Sequence, residues 1–293
     1  MASGPDMVAA ATDGRTTIRA TLPGGVWVDD ALIRHVDLRA IGDADEMQLL
    51  EEDVAPPASR ATELLERCLV GDDVSARSLT VGDREAVLLQ LRRASIGDGV
   101  DCILRCTDDS CGEYLELHIS TEDILVAPYP VVQQTYSAVF DLDGRCHVIE
   151  YRLACGTDLI AAAKTAVADP HRGAAEILRR CVTTVSVDDR AIDVDDLDPR
   201  AVARISEDMA AQDPQAEIQL EATCPACGQH FSVLFDTASY LLAELEARAR
   251  RLLSEVHLLA LHYHWSEKDI LAMPAKRRER YLDLIAAELA GVL

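Results

Sequence analysis

Ala61-Thr-Glu-Leu-Leu-Glu-Arg-Cys68 returns as Ala174-Ala-Glu-Ile-Leu-Arg-Arg-Cys181, 113 residues further along the chain. Three more blocks return with it. Arg39-Ala-Ile-Gly-Asp-Ala-Asp45 matches Arg152-Leu-Ala-Cys-Gly-Thr-Asp158 at the same offset of 113. Asp83-Arg-Glu-Ala-Val87 matches Asp198-Pro-Arg-Ala-Val202 at 115, and Cys111-Gly112 matches Cys227-Gly228 at 116. An offset that drifts slowly in one direction across four blocks marks an internal duplication, and duplicated sequence predicts two copies of one structural unit.

Each copy reads as a small α+β unit. Repeat one covers residues 17–130 and repeat two residues 131–238. Both open on a hairpin signal, period-two alternation around a turn. Thr17–Thr21 and Val26–Val28 flank Pro23-Gly24-Gly25, while Ser137–Phe140 and Cys146–Ile149 flank Asp141-Leu-Asp-Gly144. Two helices follow, near 43–52 and 61–69 in the first repeat and near 158–167 and 174–182 in the second, parted by Pro56-Pro57 and Asp169-Pro170. A third helix is expected after Asp83 and after Asp198, each aspartate acting as N-cap, with Pro199 at the favoured first position. A last hairpin, Asp101–Arg105 with Tyr114–Ile119 and Glu217–Glu221 with Phe231–Phe235, carries paired cysteines at its turn. Ala127-Pro-Tyr-Pro130 reads as the linker between repeats and residues 1–16 as disordered.

The hairpin tips carry the chemistry. Cys224-Pro-Ala-Cys227-Gly228 has the spacing of a zinc knuckle, in which a two-residue gap lets both thiolates face one ion and the glycine permits a tight turn. One knuckle supplies two ligands, and a structural zinc takes four. The matching place in repeat one holds Cys106-Thr-Asp-Asp-Ser-Cys111-Gly112, whose four-residue gap still suits a metal ligand pair. The expected site is therefore a closed structural zinc on Cys106, Cys111, Cys224 and Cys227, with the repeats related by a pseudo-twofold axis. The alternative is reduced thiols on two unrelated turns. Cys102, Cys68 and Cys181 remain possible substitutes, although the last two sit on apolar helices where cysteine serves as a small core residue. Cys146 and Cys155 read as core. Nine cysteines, an odd number, on a chain with no export signal argue against a disulfide framework.

Composition excludes several classes. The net charge of -23 opposes direct nucleic-acid binding and an anionic membrane surface, and favours a basic partner surface. No run approaches a membrane span of roughly 20 apolar residues. Met1–Arg19 lacks a signal-peptide core, so the expected place of synthesis and folding is the cytoplasm. No phosphate-binding glycine loop, nucleophile elbow or helical zinc-histidine pair is present, so the chain does not read as an enzyme. The acidic run Asp188–Asp198 lacks the spacing and central glycine of a calcium loop and reads as solvated.

Beyond the repeats, residues 239–293 form a helical segment. Leu241, Leu242, Leu245, Leu252, Val256 and Leu259 share one side of a long helix. His257-Leu-Leu-Ala-Leu-His-Tyr-His-Trp-Ser-Glu-Lys-Asp-Ile-Leu-Ala-Met-Pro274 then predicts an aromatic corner, a short helix capped by Ser266 with Asp269 at its third position, and a new helix from Pro274. A metal reading of His257, His262 and His264 is weaker than packing of the corner. Tyr263 and Trp265 are the kind of residue that anchors interfaces.

The run His-Tyr-His-Trp-Ser, then Asp-Ile-Leu, a proline and Arg277-Arg-Glu-Arg-Tyr281-Leu resembles short hub-associated proteins of phage tails and extracellular contractile injection systems. Leu79-Thr-Val-Gly-Asp-Arg-Glu-Ala-Val-Leu-Leu-Gln-Leu-Arg-Arg93, followed by a knuckle, resembles the baseplate-hub assembly family of contractile phages. The chain departs from that pattern in its two repeats and its widened first knuckle. The resemblance implies a non-enzymatic protein that assembles or completes a baseplate hub and contacts baseplate, hub, tail-tube or tape-measure proteins. It leaves open a lasting component or a chaperone that departs. The expected partner-binding residues are Tyr263, His264, Trp265, Arg277, Arg278 and Tyr281. The alternative reading is a zinc-ribbon adaptor in transcription or protein quality control.

Overall fold

A computed structural model describes residues 11–12, 15–51, 55–167 and 169–291. The chain is mixed α+β with small antiparallel sheets and a helical C-terminal part. It divides into two units. One contains the residues up to Ala40 with Pro56–Ala238, and the other contains Ile41–Ala55 with Ser239–Leu293.

The chain repeats one element order, of which α1 alone falls in the second unit. Repeat one runs β1 (Ala11–Thr12), β2 (Arg15–Val28), β3 (Ala31–Arg39), α1 (Asp43–Glu51), α2 (Pro57–Cys68), β4 (Leu69–Val70), α3 (Val81–Ser95), β5 (Gly99–Arg105), β6 (Tyr114–Ser120) and the short α4 (Thr121–Ile124). Repeat two runs β7 (Tyr136–Leu142), β8 (Arg145–Tyr151), α5 (Gly156–Ala166), α6 (Pro170–Cys181), β9 (Val182–Val187), β10 (Arg190–Ala191), α7 (Pro199–Gln212), β11 (Gln219–Thr223) and β12 (His230–Leu234). In both, the strand after the second helix pairs antiparallel with the second strand of the opening hairpin. Sheets β1-β2-β3-β4 and β10-β9-β8-β7 result, and the knuckle hairpins β5–β6 and β11–β12 stand as two-stranded sheets. Most of the stretch expected to be disordered lies outside the described residues, but Ala11–Thr12 pair with Arg15–Thr16.

Local chemistry sets the boundaries. Pro57 and Pro170 sit at the first helical positions of α2 and α6, so these prolines start the helices that they were expected only to separate. Asp198 caps α7 by accepting the Arg200 N–H. Asp83 does not cap α3. Thr80 does, and Asp83 lies one turn inside, fully buried, accepting the N–H groups of Gly24 and Gly25. That bond explains a second departure. Pro23-Gly24-Gly25 is a bulge in β2 where the register slips between Thr21 and Val26. The turn is Asp29-Asp30, both at positive φ (45° and 63°), as a two-residue type I′ turn demands and short polar side chains tolerate. The acidic run likewise opens with a turn of that kind, Asp188-Asp189 at φ 51° and 59°, between β9 and β10.

Repeat two's core is Tyr136, Ala138, Ile149, Tyr151 and Val185 from its sheet, closed by Leu197, Ala201 and Ile205. The repeats join through backbone bonds from Val81 N–H to Ala154 O, Gly156 N–H to Leu79 O and Thr157 N–H to Arg77 O. Tyr129 of the linker is pinned rather than free. Its hydroxyl donates to Asp213 and accepts the Gln215 N–H. In the second unit, α8 (Thr237–Tyr263), α9 (Glu267–Leu271) and α10 (Ala275–Leu289) pack Leu252, Val256, Leu259, Ile270 and Ile285 together, with Met47 of α1 against them. No helix of the described residues is long and apolar enough to cross a membrane.

Candidate metal centre

The knuckle hairpins are built alike at their tips. In one, Cys106 N–H donates to Glu113 O. In the other, Cys224 N–H donates to Gln229 O. Gly112 and Gly228 follow the second cysteines at φ 58° and 76°, the left-handed conformation glycine adopts without penalty. The wider first loop is organised by Asp108. Its carboxylate accepts the Ser110 N–H and hydroxyl, and its carbonyl accepts the N–H groups of Cys111 and Gly112. The Asp108 N–H points at the Cys106 sulfur, and those of Ala226 and Cys227 at the Cys224 sulfur.

Packing brings the tips together. Leu89 of α3 packs with Ile218 and Leu220 beside Cys102, Leu117 and Ile119, so both hairpins lie against one helix. The Cys106 and Cys227 sulfurs are 3.6 Å apart and those of Cys111 and Cys224 3.7 Å. All four lie within 4.8 Å of one another. Sulfurs bound tetrahedrally about 2.3 Å from a zinc ion would be about 3.8 Å apart, whereas a disulfide needs about 2.05 Å. The arrangement thus has the dimensions of a four-thiolate metal centre and can hold one metal ion. Cys224 and Cys106 are 1% and 4% exposed, while Cys227 faces solvent.

The protons of the group are shared unequally. The Cys227 N–H, aided by that of Ala226 and by neighbouring thiols, lowers the Cys224 thiol to about 7 against desolvation. The Asp108 N–H pulls Cys106 down, but desolvation and the other three thiols push it to about 12. Four sulfurs this close cannot all ionise alone, and a divalent cation relieves that repulsion.

A family model described as T4 bacteriophage base plate protein matches residues 47–242, from within α1 through both knuckle hairpins into α8. The chain belongs to that family. No curated protein and no solved structure matches it. As a phage baseplate family member, the chain has a role among the components of a tail particle.

The other sulfurs of the baseplate protein lie elsewhere. Cys68 and Cys181 end α2 and α6 and are fully buried, Cys102 is part of the packing around Leu89, and Cys146, expected in the core, is exposed on β8. Cys155 is the N-cap of α5, and its thiol donates to Asp158. Among the described residues only the four tip cysteines form a metal-ligating group, so the histidines of the C-terminal segment do not.

The C-terminal residues separate into two kinds. Tyr263 stacks on Trp265 at 4.6 Å, and Tyr281 meets both edge-on at 5.3 and 4.8 Å. His264, at φ 56°, and Arg277 are exposed. Arg278 is turned inward, 4% exposed, and pairs with Asp43 at 2.6 Å and Glu255 at 3.2 Å.

Two polar networks are not legible from motifs. Asp158 is held by Arg152 and Arg180 at 2.6 and 2.8 Å. Burial opposes ionisation there, but the two guanidiniums and the Cys155 N–H hold the carboxyl well below its usual range. The signal was present, since Arg152, Asp158 and Arg180-Cys181 all fall in duplicated blocks. The second network joins Asp213 to Gly82 N–H and the Tyr129 hydroxyl. Gly82 is required, because a Cβ there would lie 1.9 Å from the Asp213 carboxylate. No sequence signal marks this contact across 131 residues.

Proposed function

We propose that this protein is a non-enzymatic structural or assembly component of the baseplate hub of a contractile tail or related injection system. In this reading a zinc ion on Cys106, Cys111, Cys224 and Cys227 clamps the repeats, and the C-terminal unit docks hub, tail-tube or tape-measure proteins. The observation that carries it is the convergence of two hairpin tips, more than a hundred residues apart in sequence, on four sulfurs at zinc spacing. Four thiolates leave no open coordination position, so the ion would supply folding energy rather than catalysis. Such sites contribute on the order of 10 kcal/mol or more in small domains. The family match favours this reading over a zinc-ribbon adaptor.

Docking falls to the aromatic corner. Tyr263, Trp265 and Tyr281 hold one another rigid, so a partner meets a preformed surface and little side-chain entropy is lost on binding. His264 and Arg277 border it, while Arg278 supports it from within. Trp265→Ala in the intact protein is expected to abolish particle assembly while the first unit keeps its metal. Normal assembly with this variant would refute the docking role.

A further inference from the structure

The chain carries 51 acidic against 28 basic side chains, yet exposed cations gather at one place on its C-terminal helices. Two of the three lysines, Lys268 and Lys276, lie in the C-terminal segment, and Lys276, Arg277 and Arg280 are exposed together on the first turns of α10. Glu279 and Asp283 share that helix, but none of these three cations forms an ion pair among the described residues. Exposed arginines elsewhere, such as Arg145, Arg179 and Arg200, do form ion pairs, while Arg190 and Arg251 stand apart and line no comparable cleft. What sets Lys276, Arg277 and Arg280 apart is that they are free and gathered around concave surface, where a carboxylate from outside can pair with them.

The cations rim two adjoining clefts of about 420 Å³ each, which share Pro274 and Arg277. One cleft is floored by Trp265, Ala272 and Met273, with Asp269 at its edge, its carboxylate occupied by the Ser266 hydroxyl. The other contains Tyr281 and Leu284, the latter about half exposed. The Arg277 guanidinium lies 5.9 Å over the Tyr281 ring, which orients it between the clefts. An apolar floor rimmed by cations fits an apolar side chain flanked by carboxylates.

We infer that this double cleft binds an acidic peptide segment of a partner protein, one apolar side chain entering against Trp265 or Tyr281 while its carboxylates pair with Lys276, Arg277 and Arg280. This rests on the docking role proposed above and adds the chemistry of the partner. A nucleic acid strand is a poorer fit, because three cations cannot offset repulsion of a long phosphate chain by a body of net charge -23.

The test uses the full chain with Trp27→Phe, which leaves Trp265 as the sole tryptophan. Three synthetic peptides share leucine positions and differ only in carrying Glu, Gln or Lys at the remaining exposed positions. The Glu peptide is expected to shift Trp265 emission, the Gln peptide to bind at least tenfold more weakly, and the Lys peptide not to bind. Raising salt from about 50 to about 300 mM should weaken the Glu peptide several-fold. Combined Lys276→Glu, Arg277→Glu and Arg280→Glu should abolish binding with unchanged circular dichroism. No response to the Glu peptide, equal binding of the Gln peptide, or equal binding of an oligonucleotide would overturn the inference. Loss of assembly in Trp265→Ala but not in the charge reversal would refute the acidic partner and leave the docking role standing.

Discussion

The same block opens α3 and α7, yet the two helices live in different surroundings. Ten residues of α3 are buried, among them Asp83, Arg84 and Glu85, while α7 buries only Ala201 and Ile205. The preceding helices differ in the same sense. α2 buries seven residues and α6 buries two. In repeat two the space between α6 and α7 remains a cleft of about 670 Å³ bordered by Leu178, Val202 and Met209. The aligned Leu65 and Val87 of repeat one are fully buried. Duplication preserved the order of elements and the cysteine tips but not the solvent exposure of each position. Once a helix is enclosed on all sides its polar residues must find internal partners, and Asp83 did so by giving up the capping role that Asp198 retains.

Matched substitutions test that contrast. Leu65→Ala should cost about 3 kcal/mol and Leu178→Ala about 1, because only the former leaves a closed cavity. Urea denaturation of both would read the difference, and equal costs would break the comparison. Asp83→Ala should cost about 2 kcal/mol by orphaning two buried N–H groups, against about 1 for Asp198→Ala, which loses an exposed cap. A larger loss at Asp198 would show that the repeats are exchangeable after all.

The finest distinction is one of sign. Burial pushes Asp213 up to about 6, against the Gly82 N–H and the Tyr129 hydroxyl and with Asp83 and Glu85 nearby. It holds its proton more tightly folded than unfolded, so its contribution is full below about pH 4 and is lost as pH rises toward 6. Asp158 is displaced the other way, and its contribution is present above about pH 4 and lost on acidification. Asp213→Asn should therefore flatten the stability profile between about pH 4 and 6, and Asp158→Asn below about pH 4. Parallel changes in both variants would contradict the contrast between a contact across the repeats and one within a repeat.

The duplicated blocks, the hairpins and the four tip cysteines were legible because each depends on local spacing: period two in strands, a cysteine gap, a glycine after it. Asp83 was misread because its capping pattern is real in Asp198, and only enclosure by the rest of the chain separates the two. The Asp29-Asp30 turn was missed because Pro23-Gly24-Gly25 is the stronger turn signal in isolation, and the Asp83 bonds that convert it to a bulge come from 59 and 58 residues away. Arg278 is indistinguishable in sequence from Arg277, and the inward one is the one that meets Asp43 on α1, Glu255 on α8 and the Met273 carbonyl.

Elemental analysis of the purified full-length protein, with Cys106→Ser and Cys224→Ser beside it, addresses the clamp itself. One zinc per chain is expected, lost in both variants, because each removes a ligand from a different repeat. Metal-free protein that stays folded, or one variant that keeps the full complement, would contradict a clamp shared between the repeats.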